Sequence, residues 1–171
     1  MSAPRSRAPR RHKLRGWLIG VVVIAALLAV PFVSQVVVAT QNDAIAESVE
    51  NDLVALPLPA DTQLVDSYSS AGKLVGNGNG MQYLGVLIIE SDLSAAELTS
   101  YYADQAHSLG ESRTSEYPTT IDVEQGDSTQ LHAIGRMSDF LAEASQPHRF
   151  VVLMWGSAPS EWHEDWDLRG H

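Results

Sequence analysis

From Gly16 to Asn42 the chain carries no charged side chain, and the strongly apolar part, Trp17 to Ala39, is 23 residues long. A helix of that length reaches roughly 35 Å, enough to cross a hydrocarbon core of about 30 Å with some tilt. The sequence therefore predicts a transmembrane helix over residues 16–40, with the lipid bilayer as its first partner. Trp17, next to Arg15, stands where an interfacial aromatic anchor belongs. Pro31 removes one backbone donor inside this helix. Ser34 and Gln35 are the polar residues near its outer end, and Gln35 is a candidate contact to a partner helix, since polar side chains mediate helix association in membranes. A cleavable signal ending at Val37-Val38-Ala39 is the competing reading. The apolar stretch is much longer than the ~7–15 residues of a signal's hydrophobic core, which favours a retained anchor.

Charge is split around this segment. Arg5, Arg7, Arg10, Arg11, Lys13 and Arg15 precede it, and no Asp or Glu occurs before Asp43. The five remaining basic residues stand against all 21 acidic ones. Basic residues flank the cytoplasmic end of a membrane helix, so residues 1–15 read as a cytoplasmic tail and the acidic remainder as extracytoplasmic. A domain this acidic repels nucleic-acid phosphates, and no nucleic-acid partner is expected. The absence of cysteine rules out a disulfide, a thiolate metal site, a cysteine nucleophile and a lipidated cysteine anchor.

Past the membrane, residues 41–56 keep a helical pattern, with Ile45, Val49 and Leu53 four apart. They form a stalk that extends the membrane helix or packs on the domain above it, and Pro57 and Pro59 end it. The domain proper spans residues 57–156. Gln63–Ser69 and Met81–Glu90 read as two strands of a hairpin around Gly76-Asn77-Gly78-Asn79-Gly80. Ser94 and Glu97 form a capping box, with Leu93 and Leu98 as its staple, opening a helix from Ala95 to about Leu109 that Gly110 stops. Thr119–Glu124, Thr129–Met137 and His148–Trp155 read as further strands, with a short helix or loop over Asp139–Gln146. The sum is an α+β fold, β-β-α-β-β-β, in which one long helix covers a small antiparallel or mixed sheet. The other face of that sheet is left to solvent, the stalk or a partner. Residues 157–171 form an acidic aromatic tail.

Two runs carry a resemblance. Leu56-Pro57-Leu58-Pro59-Ala60-Asp61-Thr62-Gln63-Leu64-Val65 leads into a strand, and Ser91-Asp92-Leu93-Ser94-Ala95-Ala96-Glu97-Leu98-Thr99-Ser100-Tyr101-Tyr102 opens the helix. Together, over about 55 residues, the pattern resembles membrane-anchored or lipoprotein-type ectodomains of high-GC Gram-positive bacteria, many of them uncharacterised. The chain departs from the lipoprotein members in having no cysteine to lipidate. The resemblance implies a fold and a bacterial extracytoplasmic location, and it carries no site residues.

No local motif selects a chemistry. The glycine–asparagine run lacks the Gly-Lys-Ser/Thr of a phosphate loop and precedes a strand rather than a helix, so it reads as a hairpin turn. The histidines are scattered; His107 with Asp104 reads as a helix-surface pair, and His132 has no metal-ligand partner at the usual spacing. His163 with the carboxylates of Trp162–Asp167 reads as a solvated tail, because a metal site needs ligands fixed by rigid elements. No catalytic residue, cofactor or metal is therefore expected. Trp162 and Trp166, four apart, are candidate partner contacts, since aromatic anchors dominate binding hot spots. Their bland alternative is packing over the domain's own sheet. The sequence favours a non-enzymatic interaction domain, an accessory or assembly subunit of a membrane complex with other membrane-protein subunits as partners. The alternatives are a free-standing ectodomain that binds a small ligand or cell-envelope component in a cavity lined by Tyr101 and Tyr102, and a hydrolase whose site no local motif reveals.

Overall fold

The computed structural model describes residues 11–72, 81–112, 120–125, 140, 142, 144–156 and 167. They form α1 (Arg11–Val54), β1 (Thr62–Gly72), β2 (Gln82–Ser91), α2 (Ala95–Ser112), β3 (Thr120–Gln125) and β4 (Arg149–Gly156). The chain divides into two units, Met1–Val37 and Val38–His171.

In the first unit α1 is apolar on every side and exposed from Gly16 to Val33, with Leu28 and Phe32 more than seven-tenths accessible, while Ser34 and Gln35 are half-buried. It is long and apolar enough to cross a membrane. Pro31 lies inside the helix without ending it, and Ser34 Oγ donates to the Pro31 carbonyl at 2.9 Å.

Among the described residues the second unit forms an open four-stranded antiparallel sheet in the order β1-β2-β4-β3. This is the α+β class that the sequence implies, and the sheet is antiparallel throughout. The β1–β2 pairing, from Thr62↔Ser91 to Gly72↔Gln82, is the expected hairpin, with a register shift between Leu64 and Asp66 that leaves Val65 as the bulged residue. The turn at 76–80 and the strand expected at 129–137 lie outside the described residues. Phe140, Ala142 and Ala144, from the stretch left between helix and loop, are helical.

β2 and β4 sit in the centre and bury both faces, which is why Tyr83–Ile89 and Phe150–Met154 are apolar without alternation. One face holds Tyr83, Leu87, Ile89, Phe150, Val152 and Met154. Two helices cover it rather than one: α2 through Leu98 and Tyr102, and α1 through Ala46, Val49 and Leu53. The stalk thus belongs to the core. Its buried row is longer than the expected Ile45, Val49 and Leu53, running Val38, Asn42, Ala46, Val49, Leu53, with Ile45 only partly buried at its side. On the opposite face Leu84, Val86, Ile88, Val151 and Leu153 are buried with Ala144, and Tyr68, Phe140 and Trp155 pack against them. That face is accordingly neither bare nor met by the stalk; Phe140 stacks on Tyr68 with ring centroids 5.6 Å apart.

Small residues let α1 sit close to the sheet. Ser67, Ser69 and Ala71 of β1 pair with Leu87, Gly85 and Tyr83. A Cβ on Gly85 would stand 2.8 Å from the Glu50 backbone, so only glycine leaves room for the helix there.

α2 starts as the capping box requires. Ser94 N donates to Glu97 Oε2 at 2.8 Å, and Glu97 N donates to Ser94 Oγ at 3.3 Å. The Ser94 hydroxyl and backbone donors hold the Glu97 carboxyl below its ordinary pKa. Its end differs from expectation: α2 runs through Gly110 to Ser112. A single glycine costs about 1 kcal/mol in a helix, too little to stop one that is anchored on a core upstream.

Candidate functional site

The most distinctive polar feature of the second unit stands at the start of α1's buried row. Asn42 is fully buried, and an unpaired buried amide costs about 1–3 kcal/mol. Its Oδ1 accepts from the Tyr83 hydroxyl at 3.0 Å, and its Nδ2 donates to Asp167 Oδ2 at 2.7 Å. Asp167 is itself buried. This corrects the solvated reading at Asp167 alone, which is the acceptor that satisfies an amide 125 residues away. No sequence spacing could have revealed that pair. Trp162, His163 and Trp166 lie outside the described residues.

The two tyrosines on α2, the candidate cavity lining, take separate places. Tyr102 is fully buried in the core. Its hydroxyl has no hydrogen-bond partner among the described residues, and burial pushes its pKa up to about 12, with Tyr101 adding to the effect. Tyr101 packs edge-on against it at 5.4 Å and donates its hydroxyl to the Pro57 carbonyl at 2.8 Å. Both rings therefore lock α2 to the core and to the end of α1. Gln35, the candidate membrane contact, is half-buried and engaged within the chain.

A groove opens elsewhere, between α1 and β1. It encloses about 500 Å³ and is lined by Asp43, Ala46, Glu47 and Glu50 of the helix and by Tyr68, Ser69, Ser70 and Ala71 of the strand. The acidic residues follow a step of four and then three, one position along from the buried row Asn42, Ala46, Val49. Burying that row therefore turns the carboxylates along the flank of the helix. Glu50 Oε1 accepts from Ser67 Oγ at 2.5 Å, which ties the helix to the strand at one end of the groove. Sequence reading missed this row, although its signal was present as an acidic stripe beside the apolar one. Among the described residues no group of three or more potential ligands is arranged to hold a metal ion. The carboxylates are spread along the helix rather than converging.

No protein-family model, no curated protein and no solved structure matches this chain.

Proposed function

We propose that the protein is a single-pass membrane protein with a cytoplasmic N-terminus, whose extracytoplasmic domain is an interaction module serving as an accessory or assembly subunit of a membrane complex. The observation that carries this reading is α1. One uninterrupted helix is apolar on every side up to Val37 and then supplies a row of core residues from Val38 to Leu53. An all-round apolar helix suits lipid, and the basic residues before it and acidic residues after it support this orientation. Burial of Val38 and Asn42 speaks for a retained helix, because cleavage after Ala39 would cut into the row that the domain needs.

The groove favours a macromolecular partner over a small ligand. Small-molecule sites are mostly apolar and enclosed, whereas this one is open and flanked by three acidic side chains. No catalytic role is proposed for any residue.

The test is purification of the full-length protein from native membranes in mild detergent, together with protease accessibility from each side of the membrane. A stoichiometric membrane companion and an externally exposed C-terminal domain are expected. A chain that emerges alone, or a domain protected on the outer side and cut from the cytoplasm, overturns the reading. Within the same preparation Gln35→Leu is expected to weaken retention of the companion. Unchanged retention removes Gln35 from the contact.

A further inference from the structure

β1 is an edge strand, paired on one side by β2 and on the other by no described residue. Beyond the bulge at Val65 its register with β2 is unbroken from Asp66 to Gly72. Ser67 gives its N–H to the Asp66 side chain, Oδ1, at 2.9 Å rather than to β2. Hydrogen-bonding directions alternate along an antiparallel strand, so Ser69, two residues on, also presents its backbone groups away from β2. That outward edge borders the groove.

An unpaired strand edge binds another extended chain through main-chain hydrogen bonds, and the side chains at alternate positions decide which chain it accepts. On the α1 side of β1 lie Ser67 and Ser69, and above them Asp43, Glu47 and Glu50 flank the groove. From Asp43 to Glu50 the helix advances about 10 Å. Alternate residues of a strand recur about every 6.7 Å, so two or three of them fit beneath that row. On the other face the neighbour is Tyr68, half-buried against Phe140.

We infer that the β1 edge takes an extended segment of a partner protein, carrying Lys or Arg at alternate positions toward α1 and apolar residues between them toward Tyr68. This rests on the interaction-module reading and names the surface and the partner's chemistry. A second copy of the chain brings the same acidic row to the edge, and like charges placed opposite one another are repelled. The chain's own basic arm, residues 1–15, lies across the membrane in the proposed topology.

The absence of cysteine makes a site-specific test direct. Ser69→Cys and, as a control on the exposed side of α2, Ser100→Cys are each labelled with a benzophenone maleimide in native membranes and irradiated. The expected product is an adduct from position 69 only, to the stoichiometric companion, mapping to a segment with basic residues at every second position. Adduct yield is expected to fall about tenfold with Glu47→Lys, and to fall again as salt is raised, since exposed charge pairs are screened. Several results overturn the inference while leaving a companion in place: crosslinking from position 100 but not 69, an attached segment without Lys or Arg, a product consisting of two copies of this chain, or a yield indifferent to Glu47→Lys. Absence of any companion overturns the interaction-module reading itself, and this inference with it.

Discussion

Along α1, Trp17 to Val37 present apolar side chains in every direction, whereas from Val38 to Leu53 the buried positions keep to a single row. The helix is continuous across the change, so the backbone does not distinguish the two parts; the side chains do. In the first part apolarity has no direction, as expected where the surroundings are uniform. In the second part direction is everything: Ala46, Val49 and Leu53 enter the core, and Asp43, Glu47 and Glu50 stand one position away on the flank. Total apolarity identifies what a helix can lie in, and periodicity identifies what it packs on.

The sharpest way to break this contrast is to make the same truncation in both parts. Leu53→Ala removes a fully buried side chain and is expected to destabilise the domain by about 2–5 kcal/mol in denaturant titrations of the detergent-solubilised protein. Leu28→Ala, at an exposed position, is expected to leave the same transition unmoved. Equal losses at both positions would mean that the first part also packs on a fixed protein surface.

The next largest effect probes how closely the second part approaches the sheet. Gly85→Ala places a Cβ 2.8 Å from the Glu50 backbone, and overpacking of this kind is expected to cost about 1–3 kcal/mol. The obstacle is backbone, which no side-chain rotation relieves. A thermal midpoint equal to that of the wild type would show that α1 can lift off the sheet at little cost.

Polar burial sharpens the comparison further. Asp167→Ala strips the acceptor from the buried Asn42 amide and is expected to cost about 1–3 kcal/mol. Asn42→Leu combined with Asp167→Ala should recover part of that loss, because the stranded amide donor is removed, although the Tyr83 hydroxyl gives up its Asn42 acceptor. Non-additivity in this double-mutant cycle is the measurement, and strict additivity would mean that the two side chains act independently.

Tyr102→Phe is expected to have the smallest effect at neutral pH, neutral or stabilising by up to about 1 kcal/mol, since the hydroxyl it removes is buried with no partner among the described residues. Its signature appears in alkali. The folded phenol holds its proton up to a pKa of about 12, above the ordinary 10.0. Stability from this group is therefore complete below pH 10 and is lost as the pH rises from about 10 to about 12, where the unfolded chain binds fewer protons. In Tyr102→Phe that part of the alkaline fall should vanish. An unchanged alkaline profile would assign the loss to other groups.

Local signals in the sequence translated well into structure, and long-range ones did not. Ser94 and Glu97 are three residues apart and their capping box is present as read. The apolar runs of β2 and β4 became the two central strands. Residues 41–56 were legible as a helix, but which sheet face they would meet was not, because a row of apolar residues specifies that a face is buried and not against what. The covering of the second face by Phe140 and Ala144 depends on strand order, which single-strand patterns do not encode. Gly85 had a readable signal, a lone glycine inside an apolar strand, whose meaning as a helix contact needed the partner element. Asn42 and Asp167 had none, being 125 residues apart. Their pairing follows from the need to satisfy a buried amide, a need that exists only once the fold has buried it. The acidic row Asp43, Glu47, Glu50 was visible as spacing, and only the strand edge beside it gives that spacing a use.

The placement of Val38 and Asn42 has a consequence for the life of the protein at the membrane surface. Many anchored domains are joined to their anchor by a linker that a protease can cut, releasing an intact domain into the medium. Here a cut just after Asn42 would remove the first members of the core row, Val38 and Asn42, and with them the amide between Tyr83 and Asp167. In the proposed topology, release from the anchor and loss of part of the core would therefore go together, and a fragment freed in that way would be less stable than the intact domain.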